Sequence, residues 1–247
     1  MVAGIQLHDV ETVLDCRLLI AHPAEPRVLT VRQANAWALP ALTPLEHHVA
    51  AVSHINLAVF RLFGLRTHIR RLVLETSERS PYRSILRVYE LEVIGELARQ
   101  RIERTAWAGR DVLDEMEFVP GSDRGVIEKW LEELESDYPD VSGPPWIRPG
   151  WFETASTWMQ RQAAAADTPI HGVPDQHWTD ASMNVLAAAS EHGTILMTAT
   201  GVPASGSAQD PGSSEWASRF GWTKPELIAS DANRNWHLYR TDDATGV

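Results

Sequence analysis

The residues that could carry chemistry here are histidines, clustered glutamates, two lysines and one cysteine. His47, His48 and His54 fall within one apolar-periodic stretch, with Glu46 beside them. His47 and His54 are seven positions apart and share a helical face, but stand about 10 Å apart along the axis, too far for one metal ion. They read as surface or interface histidines, and His171, His177 and His192 are scattered through loops. Glu128, Glu132, Glu133 and Glu135 flank an apolar stripe rather than converge, which makes a solvated helix face and not a metal site. Cys16 sits in the strand-like run Val13–Ile20 with no neighbouring base, so it reads as a buried, inert thiol. Lys129 and Lys224 are the only lysines among 22 basic residues. The sequence contains no Ser-centred nucleophile elbow, no Walker loop and no dinucleotide glycine fingerprint. Ten tryptophans could line a ligand groove, but most lie at core spacing or beside prolines, where packing explains them.

The elements that must position these residues follow from periodicity. Strands are expected at 12–20 and 27–33, joined by the turn chemistry of His22-Pro23-Ala24-Glu25-Pro26. A helix is expected over Leu45–Phe63, with Val49, Val52, Ile55, Val59 and Leu62 on one face and Gly64 as its stop. Strands follow at 67–75 and 84–92, with Thr76–Pro81 as the connecting loop, and Trp107–Asp111 suggests a strand ending in a turn. Ser122 is placed to cap a helix running to about Ser136, its apolar stripe being Ile127, Trp130, Leu131 and Leu134. A Pro/Gly linker spans Tyr138–Gly150, and a helix with Trp151, Ala155 and Trp158 on one side follows to about Ala165. Short strands return at about 183–188, 193–198, 226–230 and 235–239, with Pro203–Ser214 as a loop and Glu215–Phe220 as a helical turn or two.

Two resemblances rest on this order. Strand, strand, helix, Gly64-Leu65, strand, strand resembles the Nudix fold, in which a helix carries glutamates that hold Mg²⁺ on a diphosphate. Mg²⁺ demands oxygen ligands in near-octahedral geometry. Aligned on Gly64-Leu65, the box glycine falls on Thr43, its first glutamate on Val49, its Arg-Glu pair on Leu57-Ala58 and its Glu-Glu pair on Arg61-Leu62, so every carboxylate is missing. The stretch Pro144-Pro145-Trp146-Ile147-Arg148-Pro149-Gly150-Trp151-Phe152, the preceding Ile127–Glu135 segment and the tail Pro225–Asp231 with Asn235–Leu238 are similar to a bacterial family. That family joins a Nudix-like domain to an aminoglycoside-phosphotransferase-like kinase domain. The resemblance implies a lysine on the third strand of the kinase N-lobe, where Thr198 stands, and a helix glutamate, for which Glu215 is the candidate. A threonine has neither the charge nor the reach. It also implies a C-lobe beyond the hinge, whereas the sequence stops at Val247.

The expectation is therefore an α/β (α+β) chain: a Nudix-like domain over 1–140, a Pro/Trp linker and helix over 141–165, and a kinase-like N-lobe remnant over 166–247. No catalytic, cofactor-binding or metal-binding residue is assigned, and no cofactor. The expected function is a non-catalytic binding or interaction protein, a pseudoenzyme derived from a phosphotransferase. The alternatives are one component of a small-molecule phosphotransferase whose C-lobe is a separate chain, and a divergent Nudix hydrolase. The formal net charge of −11 argues against nucleic acid and anionic membranes as partners. A homo-oligomer or partner protein is expected at apolar surface left bare on the N-lobe. The sequence begins with no basic and apolar leader pattern and has no run approaching the roughly 20 apolar residues of a membrane span, so a cytoplasmic location is expected. Trp146, Trp151 and Trp158 are expected to pack the linker against one or both halves.

Overall fold

The computed structural model describes residues 12–44, 48–79, 83–95, 97, 104–136, 143–201 and 223–242. It is a mixed α+β chain built on two sheets. The first is seven-stranded and formed by β1 (Thr12–Ala21), β2 (Val28–Gln33), β3 (Ala36–Ala38), β4 (Ala41–Leu42), β5 (Thr67–Arg79), β6 (Arg83–Val93) and β7 (Thr105–Ala108). Its main path runs β3-β2-β1-β6-β5, with β1 parallel to β6 over ten residue pairs and β5 at the edge. A helix covers each face. α1 (Ser53–Phe63) seats Ile55 and Val59 among Leu18, Ile20, Ile69 and Leu91. α3 (Gly121–Glu135), preceded by the single turn α2 (Arg110–Leu113), seats Ile127, Trp130 and Leu131 against Leu19, Val28 and Val88. The strict alternation of β1 explains this double layer: Leu18 and Ile20 look to α1 while Leu19 and Ala21 look to α3.

The second sheet is antiparallel and five-stranded, in the order β11-β12-β10-β9-β8. Its strands are β8 (Asp175–Thr179), β9 (Met183–Ser190), β10 (Gly193–Thr200), β11 (Thr223–Asp231) and β12 (Trp236–Asp242). A 3-10 turn at Pro145–Ile147 leads into α4 (Trp151–Ala165), which lies on one face of this sheet. Trp146, Trp151 and Trp158 are all buried there, and Trp151 and Trp158 meet Trp236 edge-on at 6.1 and 5.4 Å. The linker tryptophans thus form a core, as their spacing suggests.

Three expectations change. The helix begins at Ser53 rather than Leu45, because the backbone of 50–52 is drawn to β8. Val52 N–H donates to the His177 carbonyl, Thr179 N–H donates to the Ala50 carbonyl, and Ala51 bridges Trp178. Ser122 does not cap α3, since Pro120 holds the N-cap position and Ser122 lies inside the first turn. Thr76–Arg79 is strand rather than loop, and β8 was not anticipated at all. The segments 203–214 and 215–220 lie outside the described residues, as do Glu46 and His47. Among the described residues no helix is long and apolar enough to cross a membrane.

A buried carboxylate organises the first sheet. Glu90 on β6 is fully buried and accepts from Arg70 (2.8 Å), Arg71 (2.6 Å) and the Trp130 indole (3.1 Å). Arg70 also donates to the Ile147 carbonyl, which ties β5 to the turn that leads into α4. Nearby, His68 stacks on Phe152 at 4.8 Å, and Gly150 N–H donates to the Glu92 carboxylate. Both imidazole nitrogens of His68 lack a hydrogen-bond partner, the Glu92 oxygen being 3.6 Å away.

Replacing Glu90 with Gln leaves the buried Arg70 without its carboxylate and is expected to cost about 3–5 kcal/mol, read as a lowered urea midpoint. A second expectation concerns pH. Burial, with Arg70 adding to it, pushes the His68 imidazole down to about 3. The unfolded chain takes up this proton near pH 6.5 and the folded chain only near pH 3, so the contribution of His68 is full above 6.5 and is lost as pH falls through that window. Burial pushes Glu92 upward from 4.5, and its contribution has the opposite sign, being lost as pH rises above that value. The difference between parent and His68→Phe isolates the histidine: the variant should lose less stability between pH 7 and 5. Parallel stability curves would contradict this.

Candidate functional site

The open face of α1 forms one wall of a groove. Asn56, Leu57 and Phe60, at helical spacing with Ser53, face β8 and the short segment before it. Arg66 and Thr67 at the start of β5 close one side, and Val173, Gln176 and His177 the other. The enclosed volume is about 540 Å³, within the range of small-molecule sites. The rim is apolar. Leu57, Phe60 and Val173 are exposed by 48%, 47% and 37%, which makes this groove the main concentration of bare apolar side chains among the described residues.

Its floor is polar and internally satisfied. The Gln176 side chain is buried and behaves as a peptide group: its oxygen accepts from Ile69 N–H at 2.7 Å and its nitrogen donates to the Ile69 carbonyl at 2.9 Å. Asn56 donates to the same Gln176 oxygen and accepts from the Thr67 hydroxyl. The Arg66 guanidinium lies 6.0 Å from the Phe60 ring centroid, so the positive charge sits against an aromatic wall. Burial pushes His177 below the ordinary imidazole range against the pull of Asp175, so it presents an uncharged ring at neutral pH.

The residues singled out in the sequence are dispersed. His54 and His177 both line the groove, whereas His48 stacks on Trp178 at 4.4 Å outside it. Three of the four α3 glutamates are spent on separate ion pairs: Glu128 with Arg124, Glu133 with Arg71 and Glu135 with Arg110. Burial raises the Cys16 thiol to about 11, which leaves it protonated and unreactive. Lys129 is exposed on α3, and Lys224 belongs to β11. Thr198 stands on β10, the central strand of the second sheet, buried between Val185 and His237. Gln176 was not anticipated; a glutamine in a short run after Pro174-Asp175 carries no sequence signal of the strand edge it will meet.

The Nudix resemblance implies Mg²⁺ at this helix, and the donor set does not fit it. α1 reads Ser-His-Ile-Asn-Leu-Ala-Val-Phe-Arg-Leu-Phe, with no acidic residue and an exposed arginine at position 61. Among the described residues no three His, Cys, Asp or Glu side chains converge as metal ligands.

No protein-family model matches the chain, and no curated protein matches it in sequence. Solved structures similar to about half of it are Nudix hydrolases. A Nudix hydrolase from Nitrosomonas europaea is 16% identical, over 53% of this chain and 77% of that one, with a TM-score of 0.41. A MutT protein from Methanosarcina mazei Go1 is also 16% identical, over 52% and 99%, with a TM-score of 0.38. A UDP-X diphosphatase is 13% identical with a TM-score of 0.38, and the match covers 52% of this chain and 65% of that one. Likeness at this level carries no activity or substrate with it.

Replacing Gln176 with Ala leaves the Ile69 N–H and carbonyl without their partner. A loss of about 2–4 kcal/mol is expected from two backbone groups at about 1–2 kcal/mol each. Amide exchange at Ile69 should accelerate with it, and unchanged exchange would show that this junction is held by other contacts.

Proposed function

We propose that the chain is a non-catalytic binding protein, in which a Nudix-like sheet and its helix have become the wall of a ligand groove. The observation that carries this reading is α1 itself. The helix that stands at the box position has no carboxylate to hold a metal, and its solvent face instead lines an apolar-rimmed cavity of about 540 Å³. The lining suits a small amphipathic molecule: an apolar body against Leu57, Phe60 and Val173, and an anionic or hydrogen-bonding end toward Arg66.

We further propose that the second half descends from a phosphotransferase and lacks its nucleotide-binding lysine. The lysine that such chemistry needs to hold nucleotide phosphates belongs on a third strand, and the third strand here carries Thr198, buried and uncharged. A partner protein or second copy is proposed for the same half, at the edge strand β11. Leu227 is 55% exposed there, whereas Val185, Leu186, Leu196, Met197 and Leu238 of the inner strands are covered within the chain. On this reading the face expected to be bare is closed, and the edge is what remains for a partner.

The purified chain is expected to release no phosphate from nucleoside diphosphate derivatives with Mg²⁺, and to transfer none from ATP to an aminoglycoside. Sustained turnover in either assay overturns the reading and favours the divergent hydrolase or the divided phosphotransferase. The groove is tested with anilinonaphthalene sulfonate, an apolar dye with one anionic end. Saturable binding is expected, weakened tenfold or more, about 1.4 kcal/mol, by Leu57→Glu and by Arg66→Gln. Both positions are exposed, so the fold should survive. Binding indifferent to both substitutions would place the dye elsewhere and reject the groove.

A further inference from the structure

A second cavity, of about 390 Å³, opens at the start of α4, where the linker turn meets the turn between β11 and β12. Arg148 comes from the linker and Arg234 from the turn, and between them lie Trp151, Trp236, Thr154 and Asn233. Although the chain carries 33 acidic against 22 basic residues, none of the described residues lining this cavity is Asp or Glu. Two described carboxylates contact this lining: Asp231 lies 3.8 Å from the Arg234 guanidinium and also accepts from the Asn233 and Arg234 N–H groups, and Glu92 accepts from Gly150 N–H. Glu153 is exposed in the first turn of α4. Trp151 is more than nine-tenths buried, lines the cavity, and its indole N–H has no acceptor among the described residues. The Arg234 guanidinium sits 4.9 Å from the Trp236 ring centroid, which holds that charge at the cavity wall.

We infer that this cavity is a binding site for a phosphorylated small molecule, its phosphate group taken between Arg148 and Arg234 and its organic body against the indole walls. Two guanidinium forks from different segments can share the oxygens of one dianion, which a single carboxylate would engage less fully. The positive end of the α4 dipole, which begins at the uncapped Gly150, adds to the same field. The volume exceeds what an inorganic phosphate fills, which leaves room for a body the size of a sugar or a small ring. The site is separate from the groove along α1, and no described residue is shared between the two linings.

The test uses the full chain with a nitrogen-labelled indole of Trp151 followed by NMR, titrated with inorganic phosphate and with phenyl phosphate at constant ionic strength, chloride being the balancing anion. A saturable shift of the Trp151 indole resonance is expected with both, tighter for phenyl phosphate. Arg148→Gln and Arg234→Gln should each weaken binding tenfold or more. Arg61→Gln, on exposed α1, should leave it unchanged. A shift that follows ionic strength alone, or one that persists at full affinity in both cavity variants, overturns the assignment. Loss of dye binding in the α1 groove does not bear on it.

Discussion

A carboxylate with no access to water must be neutralised where it stands, and Glu90 imposes that demand on everything around it. Two arginines from the neighbouring strand and the Trp130 indole answer it. Each answer fixes an element. Trp130 sets the rotation of α3 on its face of the sheet, Arg71 reaches onward to Glu133 on that same helix, and Arg70 reaches the Ile147 carbonyl in the linker. The ion cluster of the first sheet is therefore completed by a backbone group of the segment that opens the second half.

Much of the frame was legible because it depends on local pattern. The alternation of β1 and the tryptophan spacing of α4 follow from residues near in sequence, and α4 spans Trp151–Ala165 as its periodicity indicates. One error falls where a distant strand intervenes, and another is local. Residues 45–52 continue the helical spacing of Val49 and Val52, yet hydrogen bonds from His177 and Thr179 hold the backbone of 50–52 in another conformation. Ser122 was read as a cap by type, but the chain had already entered the helix at Gly121. No local rule could have weighed the first of these, because its competing partner lies more than 120 residues away, whereas the shift of the cap from Ser122 to Pro120 is local.

The candidate sites divide the same way. One absence was readable residue by residue: Val49, Ala58, Arg61 and Leu62 stand where the Nudix resemblance implies carboxylates, and α1 carries no acidic residue. The two cavities were not readable. The groove exists because His177 on β8 and Val173 just before it approach α1, and the arginine-lined cavity because the turn at Asn233–Arg234 comes to rest beside Arg148. In both cases ordinary surface residues acquire a shared environment through topology.

The Gln176 amide bound to Ile69 has a further consequence for how the chain behaves in a crowded solution. β5 and β8 are both outer strands, and outer strands invite other chains to add to them. A side-chain amide offers the donor and acceptor of a peptide group but cannot carry the ladder to the next residue. It satisfies one position and stops there. The two sheets are thus brought edge to edge without fusing into one continuous ribbon, and the strands most open to recruitment by a stray chain shield each other instead.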